Sequence, residues 1–363
     1  MFAKLKYFFL RRVMQKLANN RTLQTLPEDV KKIAVWQFGG LGDMLLATPV
    51  IVALSEKYPQ ADICVWCSYP QFAIFLRQFP SIKKVQLFPI YDFDIRTLLS
   101  VKKRQKLKKI TGDMQAQHID ILVNLHIPKL LDWWAVEWFV LAKIKPFYTL
   151  GFDPKFIRGS IFDISLSTSF LKGMHYTQAY QQLLTKAGIG CDKNTHFPIS
   201  QSEKERASLL LCSVENKPWV CLHMGGRRLQ FEDKMWEMEN FSVLAKKLVN
   251  DGMIPVLIGV ESEQEMGDVL CENIHQTINL IGKTSMGEMA AVVGEANLLI
   301  GHDSGPFHIA VAVQTPVVVI CGRPDAEPEY LKYDNDNVVV LTGSTPQKIS
   351  VEQVYQAAKS LLL

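Results

Sequence analysis

Short apolar runs alternate with amphipathic segments along most of this chain. The apolar runs of the first half fall at 33–36, 63–67, 84–88, 121–125 and 147–152. Helical spacing fills the gaps at 44–58, 72–79, 101–117 and 131–143. Strands that alternate with helices favour a mainly parallel sheet covered by helices on both faces. The pattern therefore predicts an α/β fold for this half of the chain.

The same alternation restarts at Trp219. Strands are predicted at 219–223, 254–258, 277–280, 298–301 and 317–321, and helices at 236–250, 263–273, 286–295, 305–313 and 351–362. The polar residues 201–217 between the two halves are typical of a linker. The predicted segments are a basic arm at 1–30, an α/β domain at 31–200, the linker at 201–217, a second α/β domain at 218–345 and a C-terminal helix at 346–363. Two α/β halves usually bind ligand in the cleft between them.

A glycine-rich turn follows the first predicted strand and carries one carboxylate. Gly39, Gly40 and Gly42 let the backbone turn sharply, and Asp43 lies at the start of the next helix. A carboxylate interacts favourably with the positive end of a helix dipole. The order strand, glycine turn, helix is a common ligand site in α/β proteins. The turn lacks the residue order of a dinucleotide fingerprint or a P-loop.

A second glycine turn, 301–308, leaves a predicted strand and enters a helix. Ser304, Gly305 and the following residues present backbone N–H groups there, which suit a diphosphate. Asp303 precedes them and has the chemistry to accept hydrogen bonds from sugar hydroxyls. Helix capping alone would explain Asp303 or Ser304, but it would not explain the whole segment, which also contains His308.

Two further strand exits in the second half carry candidate ligand contacts. Lys234 lies just before a predicted helix, where its ammonium group is suited to a phosphate, although a solvated surface lysine has the same appearance. Glu261 and Glu263 follow the strand at 254–258, where a ribose diol would find an acceptor. His302 and His308 lack an obvious carboxylate or cysteine partner in the sequence, so no metal site is predicted.

The composition agrees with two folded domains. The 363 residues are 48% hydrophobic and 21% charged, as in globular proteins. No apolar run approaches the roughly 18 residues that span a bilayer, and we expect a cytoplasmic protein. The seven cysteines are scattered and odd in number, which argues against a disulfide framework. Cys64 and Cys67 have the spacing of a redox or metal pair, but they lie within a predicted strand.

Positive charge is concentrated in two segments. The basic residues that precede the first acid, Glu28, include Lys4, Lys6, Arg11, Arg12 and Lys16. Apolar residues recur every four positions beside them, which is typical of a helix on an anionic membrane surface and equally of an arm packed on its own domain. The second segment, 102–109, is either a solvated helix face or a contact for acidic groups of a substrate. No nucleic-acid module accompanies the charge, and no such partner is expected.

Together these segments resemble glycosyltransferase family 9, the lipopolysaccharide heptosyltransferases. The resemblance rests on 39–49 and on 303–310 with Thr315-Pro316, and more loosely on 223–226 and Lys234-x-Trp236. It covers roughly residues 31 to 325. It implies the GT-B fold, in which two Rossmann-like domains with parallel sheets face a central cleft. Met224, Gly226 and the segment 322–325 depart from the family pattern near the expected donor site.

The resemblance also implies a reaction and a set of roles. The reaction is an inverting, metal-independent transfer of a sugar, heptose from ADP-heptose, to a lipid-linked core acceptor at the cytoplasmic face of the inner membrane. The co-substrate is a nucleotide sugar, and no cofactor is implied. Asp43 would be the base, and Gly39, Gly40 and Gly42 the acceptor-side loop. The implied donor contacts are Lys234, Glu261 or Glu263, Asp303, Ser304, Gly305 and His308.

Two other functions remain open at this stage. A nucleotide-sugar epimerase of the same fold would turn over the donor without an acceptor. A catalytically silent protein that binds nucleotide sugars would need no base, and the presence of Asp43 argues against it.

Overall fold

The computed structural model describes residues 25–93, 97, 100–128, 131–155, 160–192, 194–214, 217–225, 235–322, 331 and 333–362. The chain divides into two units, Met1–Asn194 and Thr195–Leu363. Within the described ranges, each unit holds a six-stranded sheet in which every strand pair is parallel. The predicted pair of parallel α/β sheets is thereby confirmed.

The first sheet has the strand order β3-β2-β1-β4-β5-β6. Its strands are β1 Lys32–Trp36, β2 Asp62–Cys67, β3 Ile82–Leu87, β4 Ile121–Asn124, β5 Tyr148–Asp153 and β6 Ile164–Ser167. Side chains alternate between the two faces of a strand, and both faces of β1 are buried: Ile33 and Val35 on one, Ala34 and Trp36 on the other. Burial on both faces explains why the strand is a continuous apolar run.

The helices of the first unit lie between these strands. They are α1 Leu41–Leu46, α2 Thr48–Lys57, α3 Phe72–Leu76, α4 Val101–Gln115, α5 Leu131–Ile144 and α6 Tyr176–Lys186. The single helix predicted at 44–58 is wrong, because the chain forms α1 and α2 with a break at Ala47. Pro49 lies in the first turn of α2, where its missing N–H costs nothing. The break gives Asp43 a short helix of its own.

The second sheet has the order β12-β11-β10-β7-β8-β9. Its strands are β7 Trp219–His223, β8 Ile254–Leu257, β9 Ile278–Asn279, β10 Leu298–His302, β11 Val317–Cys321 and β12 Val338–Thr342. Its helices are α7 Gln201–Leu210, α8 Met238–Asn250, α9 Gln264–Asn273, α10 Met286–Gly294, α11 Gly305–Ala312 and α12 Val351–Leu362. Val220 and Leu222 of β7 join one apolar cluster and Cys221 joins another, so this sheet is also covered on both faces.

Several elements differ from the sequence prediction. The segment 201–217, interpreted as a linker, begins with α7, whose Ser200 and Glu203 form a reciprocal N-terminal cap. α7 packs on α10, where a Cβ at Gly287 would overlap the Glu203 carboxylate. The edge strands β6 and β12 and helix α6 were not predicted. Among the described residues, the longest apolar helices fall short of what would cross a membrane.

Candidate functional site

Asp43 lies in the first turn of α1, just beyond the carboxyl end of β1. Its Oδ2 accepts a hydrogen bond of 2.7 Å from the backbone N–H of Gly40, the N-cap residue. This contact satisfies one of the N–H groups that a helix leaves without a partner at its start. The Asp43 side chain is half-buried, so the carboxylate is held by the turn and still reaches solvent.

The carboxylate fills the space that a side chain on Gly39 would need. A Cβ built on Gly39 would lie 2.3 Å from Oδ2 and 2.4 Å from Cγ of Asp43, whereas one on Gly40 would lie 3.7 Å from Oδ2. Gly39 is therefore required by the position of the carboxylate, and Gly40 is not required for that reason. The third glycine of the turn, Gly42, lies within α1.

A buried chain of hydrogen bonds holds the backbone of this turn at Gly39. The Tyr180 hydroxyl donates to the Leu125 carbonyl over 3.1 Å and accepts from Gln37 Nε2 over 3.2 Å. Gln37 Oε1 in turn accepts from the Gly39 N–H over 3.1 Å. Burial raises the pKa of Tyr180 well above its ordinary value, and the charge of Asp43 adds to the effect, so the hydroxyl keeps the proton that it donates.

Sequence reasoning missed both Gln37 and Tyr180. Gln37 is a polar residue directly after an apolar strand, which is a usable signal. Tyr180 belongs to α6, which lies more than a hundred residues further along the chain, and only the tertiary structure brings it to the turn.

We expect Tyr180→Phe to lower the free energy of unfolding by about 1–3 kcal/mol, because it removes the hydroxyl that accepts from the buried Gln37 Nε2 and donates to the Leu125 carbonyl. Denaturant unfolding measures this effect. Tyr148→Phe is the control, since the described contacts of the half-buried Tyr148 hydroxyl include no hydrogen bond. Equal stability of the two variants would contradict a supporting role for Tyr180.

In the second unit, Ser304 precedes α11 at the carboxyl end of β10. Its hydroxyl donates to the His302 carbonyl over 3.1 Å and contacts His223 Nδ1 at 3.1 Å. Ser304 makes no side-chain cap hydrogen bond to α11, so capping does not explain this serine. Gly305 and Pro306 open the helix and Asp303 precedes it, all partly exposed. The first-turn amides of α11 thus start at an accessible surface.

His223 connects Ser304 to a buried carboxylate. Its Nε2 lies 3.7 Å from Glu263 Oε2, and both side chains are 7% exposed. Glu263 Oε2 also accepts from the Val260 N–H over 3.0 Å. Cβ atoms at Gly225 and Gly259 would lie 1.8 Å and 2.3 Å from the Glu263 carboxylate oxygens, so these glycines make room for it. The structure therefore brings together Glu263, His223 and Ser304.

Glu261 and His308 have different surroundings from this cluster. Glu261 is exposed at the start of a short 3₁₀ helix, Glu261–Glu263. His308 is buried, and its Nδ1 lies 2.9 Å from the Tyr333 hydroxyl. Burial lowers the pKa of His308 to about 4. Lys234, Gly226 and the N-terminal residues 1–24 lie outside the described residues.

His302 joins two backbone segments that are well separated in sequence. Its Nε2 accepts from the Trp236 N–H over 2.8 Å, and its Nδ1 lies 3.0 Å from the Gly225 carbonyl. These bonds require the neutral ring with its proton on Nδ1. Burial lowers the pKa of His302 to about 4, and the neighbouring His223 adds to the effect. No sequence signal indicated this role, because both backbone partners of His302 lie more than sixty residues away along the chain.

Both buried histidines make stability depend on pH. Because their folded-state pKa lies near 4, below the ordinary 6.5, the unfolded chain takes up protons first as the pH falls. The stabilisation by these two neutral rings is complete above pH 6.5 and is lost as the pH falls towards 4. At pH 5 the loss in the free energy of unfolding amounts to about 2 kcal/mol per histidine. Denaturant unfolding at pH 7 and pH 5 checks this. The stability of His302→Gln should depend less on pH than that of the wild type, and an equal dependence would mean that folding does not lower the pKa of His302.

The cysteine pair in β2 lacks the properties of a reactive site. Burial raises the pKa of both Cys64 and Cys67 to about 11, which disfavours the thiolate that metal binding and redox chemistry need. Within the ranges that the structure describes, no group of three His, Cys, Asp or Glu side chains is arranged to hold a metal ion.

A family model and a relative of known function both relate this chain to the same family. Residues 130–360 match the model of glycosyltransferase family 9 (heptosyltransferase). The chain is 30% identical over 296 residues to lipopolysaccharide heptosyltransferase 3 of Escherichia coli K12. This alignment covers 78% of this chain and 80% of that protein. The family match begins after Asp43, so it does not include the first glycine turn.

Solved structures show the same architecture. The glycosyltransferase family 9 protein of Veillonella parvula superimposes with a TM-score of 0.71 at 22% identity, over 93% of this chain and 99% of that one. The heptosyltransferase WaaC of E. coli with ADP-2-deoxy-2-fluoro heptose gives 0.66 at 17% identity, over 91% and 99%. At these identities the likeness establishes the fold, which is GT-B as predicted.

Proposed function

This chain belongs to glycosyltransferase family 9, and we propose that it transfers heptose from ADP-heptose to a lipopolysaccharide core acceptor, without a metal ion and with inversion at the anomeric carbon. The observation that carries the proposal is the Asp43 carboxylate, held at the carboxyl end of β1 by the Gly40 N–H. The name of the E. coli relative, lipopolysaccharide heptosyltransferase 3, supports the acceptor class. The nucleotide sugar solved with E. coli WaaC supports the donor.

Asp43 acts as the base in this proposal. The acceptor hydroxyl oxygen bonds to the anomeric carbon from the face opposite ADP, and its proton passes to the carboxylate. The bond between the anomeric carbon and the diphosphate oxygen breaks, and its electron pair leaves with ADP. Attack from the opposite face inverts the anomeric configuration.

The second unit holds the donor in this proposal. The backbone amides of Ser304 and Gly305 at the start of α11 face the diphosphate in this proposal, and the fixed dipoles there stabilise the negative charge that develops on ADP. Asp303 accepts from the sugar hydroxyls and Lys234 neutralises phosphate charge. We favour Glu263 over Glu261 as the ribose contact, because its carboxylate is already oriented. It lies against His223, and Gly225 and Gly259 leave the space that it occupies. His308 supports the α11 turn through Tyr333.

Peripheral binding to the cytoplasmic face of the inner membrane completes the proposal. It is supported by the basic, amphipathic sequence at 1–20 and by the six exposed basic side chains of α4. Deleting residues 1–20 should reduce sedimentation with anionic vesicles, and 1 M salt should reduce that of the full chain. Unchanged, salt-independent sedimentation of the deletion variant would contradict a membrane role for the arm.

The decisive experiment combines the purified protein, ADP-heptose and lipopolysaccharides truncated at successive core sugars. We expect heptose to be incorporated into one of these acceptors, with no turnover of the donor when acceptor is absent. Donor turnover without an acceptor would favour the epimerase alternative. A thermal-shift comparison of ADP, UDP and GDP tests the nucleotide, and a larger stabilisation by UDP or GDP would contradict the ADP donor.

A further inference from the structure

Four aromatic side chains follow four neighbouring strands of the first sheet. Tyr69 comes after β2, Tyr91 after β3, Phe38 after β1 and His126 after β4. The order β3-β2-β1-β4 and the parallel pairing place all four at the carboxyl edge. Ligands of open α/β sheets bind at this edge.

The four rings form a continuous row. Ring centroids lie 6.0 Å apart for Tyr69 and Tyr91, 6.2 Å for Tyr91 and Phe38, and 4.4 Å for Phe38 and His126. Phe38 is buried, whereas Tyr91 is 45% exposed and Tyr69 is half-buried. We call these four residues the aromatic row; its buried centre supports rings that face solvent.

His126 adds an oriented polar group to the aromatic row. Its Nδ1 is buried in contact with Glu137 Oε1 of α5, and the two side chains are 16% and 1% exposed. A buried carboxylate fixes the orientation of the imidazole ring that it contacts. With Nδ1 against Glu137, Nε2 is the ring nitrogen left for a ligand, and the His126 side chain is partly exposed.

The aromatic row adjoins the turn that carries Asp43. Phe38 directly precedes Gly39, and His126 directly follows Leu125, whose carbonyl accepts from Tyr180 in the chain that supports this turn. Apolar rings with a few oriented polar groups are the usual lining of a small-ligand site.

We propose that the aromatic row binds the acceptor saccharide next to Asp43. The exposed Tyr91 ring packs on the apolar C–H face of a sugar, and His126 forms a hydrogen bond through Nε2 to a sugar oxygen. Glu137 is a positioning residue that acts through His126. The inference rests on the proposed function, since it supplies the acceptor contacts that the base needs.

The test separates ligand binding from a structural role by the choice of variants. His126→Asn keeps a polar atom near Nδ1 for Glu137 and removes the Nε2 group, whereas His126→Gln keeps a polar group near Nε2. Tyr91→Ala removes the exposed ring. Controls come from the opposite edge of the same sheet: His118→Asn, at an exposed residue before β4, and Phe147→Ala, at a residue 71% exposed before β5.

Kinetics with the truncated lipopolysaccharides and ADP-heptose give the readout, and binding of the same acceptors is measured with ADP present. We expect His126→Asn and Tyr91→Ala to raise the acceptor KM about tenfold and to leave the ADP-heptose KM unchanged. The acceptor KM of His126→Gln should be closer to that of the wild type. The two controls should match the wild type. A smaller rise in acceptor KM for His126→Asn than for His126→Gln would contradict the inference. If both His126 variants lower Tm and leave the acceptor KM unchanged, the contact between His126 and Glu137 is structural and the inference is wrong.

The outcomes also separate this inference from the proposed function. Transfer by the wild type with an unchanged acceptor KM in every variant overturns the inference alone. Acceptor binding that depends on His126 and Tyr91, without heptose transfer, supports the saccharide site and overturns the proposed reaction. Failure of the wild type to bind or use these acceptors overturns both.

Discussion

Asp43→Asn should abolish nearly all transfer, lowering kcat by roughly 10²- to 10⁴-fold, the usual contribution of a general base. The amide has the size of the carboxylate, and its oxygen still accepts from the Gly40 N–H that holds Asp43 at 2.7 Å. The turn should therefore keep its shape while the carboxylate proposed to take the acceptor proton is lost. Single-turnover rates with ADP-heptose and acceptor measure the effect, and calorimetry with ADP should show unchanged affinity.

Asp62→Asn is a suitable control for this variant. Asp62 is an exposed carboxylate at the amino end of β2, the edge of the same sheet opposite to Asp43. Its loss should leave the rate unchanged. An Asp43→Asn enzyme as fast as this control would eliminate Asp43 as the base.

Gly39→Ala should lower kcat by about a hundredfold, the effect of misplacing a catalytic group by roughly 1 Å. The new Cβ would lie 2.3 Å from Oδ2 and 2.5 Å from Cβ of Asp43, so the carboxylate has to move away from Gly40. Gly40→Ala should cost much less, because its Cβ meets Oδ2 at an ordinary 3.7 Å. The backbone of Gly39 is outside the left-handed region, so the expected loss reflects side-chain overlap.

The comparison of these two alanine variants tests the geometry of the site independently of Asp43 chemistry. Transfer rates and Tm are measured for both. Similar rates for Gly39→Ala and Gly40→Ala would mean that the working carboxylate does not occupy the position against Gly39. A large fall in Tm for Gly39→Ala would indicate a folding defect, and the rate is then compared at a temperature where both variants are folded.

The sequence predicted the strands that are buried on both faces, because a continuous β-branched apolar run is a local property. β1, β7 and β11 lie within a residue of their predicted bounds. The half-exposed edge strands β6 and β12 were missed. The break between α1 and α2 was missed as well, since apolar residues continue through Ala47.

The residues of the candidate site also fall into two groups, those with a local sequence pattern and those whose contacts are distant in sequence. Glycine turns with an acid or a serine at a helix start are contiguous in sequence, so Asp43, Ser304 and Gly305 were predicted as site residues from their local pattern. The contacts of His302 with Gly225 and Trp236 span more than sixty residues, and those of Tyr180 with Gln37 span 143. Such contacts have no local signature.

By itself, the sequence determined the two parallel sheets, the two glycine turns and the family resemblance, because backbone freedom and apolar periodicity act over a few residues. The tertiary structure decided which side chains meet at the ends of the strands. Strand order placed His126, Phe38, Tyr91 and Tyr69 in one row, and burial gave Glu263 and His302 their partners. Long-range packing selects these neighbours, since each buried polar group needs a partner that the local chain does not supply.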